Sequence, residues 1–127
     1  PTSLARSVLP QQVSRGDAIF NISHGALVLK ALELGDEKLL RTAMQDRLHQ
    51  SYRKSLIPDY DKIEALVRTT GASFCLSGAG PTLLCITRHR HLVQVLEEKL
   101  DGITEHTWQI LPLGVEFQGA HVLTDPE

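Results

Sequence analysis

The residues most able to do chemistry lie in Leu76-Ser77-Gly78-Ala79-Gly80-Pro81-Thr82. Gly78 and Gly80 lack a Cβ, so they can take backbone angles closed to other residues and let a ligand approach the main chain. Successive N–H groups turned to one side make a concavity for phosphate or carboxylate. Without a ligand the same residues would form a tight turn. Hydroxyls at both rims, Ser77 and Thr82, favour a binding loop. Ser77 lacks the glycine two residues upstream that a nucleophile elbow requires. No Gly-x-x-x-x-Gly-Lys occurs, so the loop is not a P-loop phosphate site.

A second polar group is Asp46, His49, Gln50 and Arg53, which fall at helical spacing and would share one helix face. Such a face is often simply solvated. Arg53 is its strongest binding candidate, because a guanidinium offers a planar fork of donors that matches a carboxylate or phosphate. Arg6, set among small and apolar neighbours in Leu4-Ala5-Arg6-Ser7-Val8-Leu9-Pro10, is the other. Two arginines beside a glycine loop would form a site for an anionic small molecule. No residue is assigned as catalytic.

The elements that must position these groups are legible from caps and periodicity. Ser14 with Asp17 has the form of a capping box, and the following run through Leu32 is apolar on most sides, which predicts a buried helix. Gly35 ends it and Asp36 caps the next helix, whose Leu40, Met44 and Leu48 carry the pattern toward Tyr52. Pro58 stops helix growth. Asp59 is placed to cap a further helix with Ile63, Leu66 and Val67 inward. Ala72–Leu76 and Leu83–Thr87 read as strands around the loop. Leu92, Val93, Leu96 and Leu100 mark a helix ending near Asp101-Gly102, with His89 and His91 at its start rather than in a metal site. Thr107–Leu111 and Val115–Ala120 read as two more strands, and Thr124–Glu127 as a frayed tail. The order predicts an α+β two-layer sandwich with an antiparallel four-stranded sheet and helices on one face, closest to a ferredoxin-like fold.

A length of 127 residues suits one domain, spanning 1–127. The 42% hydrophobic and 22% charged fractions are those of an ordinary globular chain. A net charge of -2 gives no electrostatic case for nucleic acid or an anionic membrane. No apolar run approaches the ~20 residues of a membrane span, and no leader is evident, so a cytoplasmic protein is expected. In a hairpin centred on Gly80, Cys75 and Cys85 would sit opposite each other, and a cross-strand disulfide is conceivable. Two buried thiols are the favoured reading, and no metal site is expected. The chain opens on Pro1-Thr2-Ser3 with its only methionine at Met44, so it reads as a fragment of a longer protein.

Four segments together resemble the C-terminal part of the homoserine kinase family within the GHMP small-molecule kinases. They are Ala5-Arg6-Ser7-Val8-Leu9-Pro10, Asp17–Asn21, Asp46–Arg53 with Leu56-Ile57-Pro58, and the glycine loop. The loop marks the GHMP kinases broadly. The Asp-Arg-Leu-His-Gln run and the Leu-Ile-Pro after it point to the narrower family. The resemblance implies transfer of the ATP γ-phosphate to the hydroxyl of L-homoserine, on the route to threonine. It implies that Arg6 and Arg53 hold the amino-acid carboxylate while Ser77, Gly78 and Gly80 line the cleft. It implies catalysis by positioning rather than by a dedicated base. ATP and Mg2+ would be bound mainly by an N-terminal domain outside this sequence. The isolated fragment is therefore expected to be inactive and to hold no cofactor, and the longer enzyme to be a homodimer. Ser51 stands where the family usually has proline, and Asp59 where glycine is common. Two alternatives are the C-terminal domain of another GHMP kinase, and a non-enzymatic ferredoxin-like ligand-binding or dimerisation module using the helices from Ser14 to Tyr52.

Overall fold

The Ser14 hydroxyl accepts the Asp17 N–H at 3.0 Å and opens the longest helix as the capping pattern predicts. The computed structural model describes residues 2–120 and 122. Helix α1 spans Thr2–Ser7, α2 Arg15–Leu34 and α3 Glu37–Ala43. A single short turn, α4 (Gln50–Arg53), leads through a 3-10 segment (Lys54–Leu56) to α5 (Tyr60–Thr69). Strands β1 (Ser73–Leu76) and β2 (Leu83–Ile86) follow, and then α6 (His91–Ile103). Gly35 closes α2 in the left-handed region at φ 62, and Asp36 caps α3 by accepting the Leu39 N–H at 2.9 Å.

The core lies between α5, α6 and the hairpin. Ile63 and Val67 pack with Leu92, Leu96 and Leu100 against Ala72, with Phe74, Leu83 and Cys85 at its margin. Ile57, Tyr60 and Leu76 make a smaller cluster beneath the glycine loop. Side chains alternate along a strand, so Ser73 faces away from Ala72 and Phe74. Ser73 is nonetheless only 1% exposed. Helix α3 lies against the hairpin, with Glu37 accepting the Arg88 N–H at 2.6 Å and Arg41 donating to the Gly71 carbonyl. Among the described residues no helix is long and apolar enough to cross a membrane.

Several expectations are corrected. Helix α2 is not buried: Ile22 is 76% and Leu29 72% exposed, and only Ala31 is buried. Among the described residues no second layer covers Ile22 or Leu29. The helix beginning at Asp36 ends at Ala43, because the Asp46 carboxylate takes the N–H groups of Leu48, His49 and Gln50 that a continuous helix would have used. The Asp59 side chain does not cap α5.

The sheet among the described residues has two strands, not four. Thr107–Leu111 and Val115–Ala120 carry no strand. Trp108 and Ile110 pack on the core margin, whereas Val115 and Phe117 are 78% and 90% exposed. Alternating residues alone do not make a strand without a paired edge and a covered face. The tail Thr124–Glu127 lies outside the described residues. The register pairs Cys75 with Leu84 and Phe74 with Cys85. The two thiols therefore face opposite sides of the hairpin, and a cross-strand disulfide between them is ruled out by geometry. Both cysteines are free.

Candidate functional site

The glycine loop caps the hairpin. The Ser77 N–H donates to the Thr82 carbonyl at 2.9 Å, and the Gly80 N–H to the Ser77 carbonyl at 3.1 Å. Gly78 and Gly80 sit at φ 59 and φ 83, in the region glycine tolerates best. A Cβ on Gly80 would lie 3.0 Å from Leu76 Cδ1 and 3.1 Å from Ile57 Cδ1, whereas one on Gly78 would meet nothing within 4 Å. Gly80 is thus packed against the small core cluster, and Gly78 is open. The N–H groups of Ser77 and Gly80 are spent inside the loop. Those of Gly78 and Ala79 have no acceptor among the described residues.

Arg53, on α4, reaches this loop. Its Nε donates to the Ala5 carbonyl at 2.9 Å and its Nη1 to the Gly78 carbonyl at 3.1 Å. The guanidinium therefore links α1, α4 and the loop tip. Both acceptors are neutral, and among the described residues no carboxylate lies within ion-pair distance of Arg53. Nη1 also lies 3.5 Å from His49 Nδ1, so of the five N–H donors of the arginine the two on Nη2 remain for an anion. Arg6 adjoins Ala5 on α1, and its side chain is exposed without a recorded partner. Consecutive Cα atoms are about 3.8 Å apart, so the Arg6 backbone is next to the Arg53 contact. Arg53, Gly78 and α1 are thus brought together, with Ser77 and Gly80 flanking Gly78.

Asp46, His49, Gln50 and Arg53 do not share one helix, since Asp46 precedes α4. Its side chain is only 7% exposed. Its Oδ2 accepts the N–H groups of His49 and Gln50, each at 2.7 Å, and its Oδ1 accepts from the Asn21 amide at 2.6 Å. Burial alone would raise its pKa. The N–H groups of Gln50 and His49, the Asn21 amide and the His49 ring outweigh burial and hold the carboxyl below its ordinary value. Asn21 was not singled out by sequence reasoning, although it lies in a segment carrying the family resemblance, and Gln50 was named only as one of a polar helix face. Gln50 accepts the Leu76 N–H at 2.7 Å, two residues before Gly78.

Among the described residues no group of three or more His, Cys, Asp or Glu could hold a metal ion. Asp46 is fully engaged with its hydrogen-bond donors. A separate open cleft of about 360 Å³ is lined by residues including Phe20, Arg41, Arg47, Lys54, Arg68 and Phe74. It contains none of Arg6, Arg53, Ser77, Gly78 or Gly80; three of its cations, Arg47, Lys54 and Arg68, are ion-paired, and Arg41 donates to the Gly71 carbonyl. The uncompensated guanidinium at the glycine loop is the better binding candidate.

Residues 28–102 match the family described as GHMP kinases C terminal. The homoserine kinase of Nostoc punctiforme is 46% identical over 122 residues, covering 94% of this chain and 40% of that protein. The homoserine kinase of Desulfitobacterium hafniense is 38% identical over 125 residues, covering 96% and 42%. The crystal structure of homoserine kinase from Cytophaga hutchinsonii superposes with a TM-score of 0.72 at 25% identity, over 81% of this chain and 34% of that one. The chain spans about 40% of the length of these curated relatives.

Proposed function

This chain belongs to the GHMP kinase C-terminal family, and on that premise we propose that it is the substrate-binding part of a homoserine kinase. The reaction is transfer of the γ-phosphate of ATP to the hydroxyl of L-homoserine. One observation carries this reading: Arg53 sits at the glycine loop against the Ala5 and Gly78 carbonyls and the His49 ring, with no carboxylate partner among the described residues and Arg6 on the adjoining helix. A buried or half-buried guanidinium without a counter-ion is a site for one, and an α-amino acid supplies it as a carboxylate. The names of the similar proteins support homoserine as that amino acid.

In this reading Arg6 and the free donors of Arg53 grip the substrate carboxylate. The open N–H groups of Gly78 and Ala79 face the far end of the substrate or the transferring phosphoryl group. Ser77 lines the rim and Gly80 locks the loop onto Leu76 and Ile57. No side chain here is a base. What these residues contribute is placement, which supplies most of the rate in phosphoryl transfer. ATP and Mg2+ are held mainly by the remainder of a longer protein, a cytoplasmic homodimer. There the stretch from Thr107 to Ala120 completes a four-stranded, ferredoxin-like sheet and the apolar side of α2 is covered. The isolated chain is inactive.

Arg6→Met in the longer enzyme is the cleaner test, because the Arg6 side chain has no hydrogen bond or ion pair among the described residues to lose. Homoserine KM should rise by about tenfold or more with ATP KM and Tm unchanged. An unchanged homoserine KM removes the carboxylate role. Preference for a mevalonate-type acceptor over homoserine would assign the chain to another GHMP kinase. Phosphorylation of homoserine by the isolated 127 residues would place the ATP site here instead.

A further inference from the structure

We infer that Asp46 and Gln50 are positioning residues that set the conformation of the glycine loop, acting through α4 rather than by touching substrate. A four-residue helix has no stability of its own. Asp46 holds its N-terminus: Oδ2 accepts the N–H groups of Leu48 at 3.1 Å and of His49 and Gln50 at 2.7 Å. Asp46 is itself held from α2 by Asn21, whose Oδ1 also accepts the Arg47 N–H at 2.9 Å. The turn so fixed presents two side chains to the loop, three residues apart and hence on one face. Gln50 Oε1 takes the Leu76 N–H where β1 enters the loop, and Arg53 Nη1 takes the Gly78 carbonyl at its tip.

The Gln50 amide has one orientation only. Its Nε2 donates to the Met44 carbonyl at 3.3 Å while its Oε1 accepts from Leu76, so a flip would oppose donor to donor and acceptor to acceptor. Entry and tip of the loop are thus pinned by a single turn of helix whose own geometry is set by one buried carboxylate. The N–H groups of Gly78 and Ala79 are aimed by this frame.

The inference rests on the reading that the loop binds substrate, but its test separates the two. Hydrogen exchange of the Ser77 and Gly80 amides, neither of which touches Gln50, is measured in the longer protein together with homoserine and ATP KM. In Gln50→Leu these two amides should exchange about tenfold faster, and homoserine KM should rise by a similar factor with ATP KM unmoved. Gln50→Glu keeps the acceptor for Leu76 but sets a carboxylate oxygen against the Met44 carbonyl, so its exchange should fall between wild type and Gln50→Leu. Unchanged exchange in folded Gln50→Leu, with Arg6→Met still raising homoserine KM, overturns the positioning role and spares the substrate assignment. Faster exchange with homoserine KM unmoved in both variants supports the positioning role and overturns the substrate assignment. Should Gln50→Leu fail to fold, the smaller Gln50→Ala removes the same two contacts: faster loop exchange in it supports the inference and unchanged exchange overturns it.

Discussion

Gly78 and Gly80 are two residues apart and both lie at positive φ, yet alanine should affect them differently. At Gly78 the added Cβ meets nothing within 4 Å, so only the left-handed backbone is penalised, by about 1–2 kcal/mol. At Gly80 the same backbone cost applies, and the Cβ also arrives 3.0 Å from Leu76 Cδ1 and 3.1 Å from Ile57 Cδ1. Those two side chains are buried together, 4% and 6% exposed, and have little room to retreat. Overpacking of this kind adds about 1–3 kcal/mol, for a total of about 2–5 kcal/mol at Gly80. Urea unfolding of the two variants measures the difference directly, through shifts of the midpoint at constant m. Function should invert the order. The Gly78 methyl would be attached between the open Gly78 and Ala79 N–H groups, so homoserine affinity in the longer enzyme should suffer more in Gly78→Ala than its stability loss explains. Equal destabilisation by the two alanines, or a larger effect at Gly78, would refute the placement of the loop on Ile57 and Leu76.

Other outcomes follow from the same coordinates. Asp59 sits at φ 59 with its carboxylate 3% exposed, accepting the N–H groups of Glu105 and His106, each at 3.1 Å. Asp59→Gly keeps the backbone angle and loses the anchor, whereas Asp59→Ala loses both, so thermal melts should rank wild type above Gly above Ala; Ala at or above Gly would contradict this. Burial opposes ionisation of Asp59 and Asp46, but their N–H donors and neighbouring cations prevail and depress both pKa values. Each then contributes stability that is full above the unfolded carboxylate value, about 3.9, and lost as pH falls through the lower folded value. The urea midpoint should show no loss from these two groups between pH 7 and pH 5 and should drop below pH 4; a loss attributable to them and complete by pH 5 would contradict the assignment. Burial raises the Cys75 thiol and pushes Cys85 up to about 11. Alkylation at pH 8 should therefore be slow at both, and mild oxidation should yield no Cys75–Cys85 bond by mass spectrometry.

Local signals were read correctly where the chemistry is local. Ser14, Gly35 and Asp36 mark helix ends with their own side chains or backbone angle, and the two apolar runs flanking the loop form the hairpin. Errors arise where a distant partner competes. Leu40, Met44 and Leu48 keep a helical spacing through a stretch that Asp46 turns into a cap. The hairpin is centred between Ala79 and Gly80 rather than on Gly80, and that half-residue moves Cys85 from opposite Cys75 to opposite Phe74. Asp59 looks like a cap because it precedes a helix, but its side chain turns toward residues more than 40 positions away. In the site, arginine chemistry alone singled out Arg53. Its bonds to Ala5 and Gly78 span 48 and 25 residues and had no signature in the sequence.

A structure of the longer protein with L-homoserine bound tests the central claim most directly. The substrate carboxylate should lie about 3 Å from guanidinium nitrogens of both Arg6 and Arg53, with Arg53 still joined to the Gly78 carbonyl. A carboxylate bound elsewhere, with Arg6 left in solvent and Arg53 contacting only Ala5 and Gly78, would contradict it.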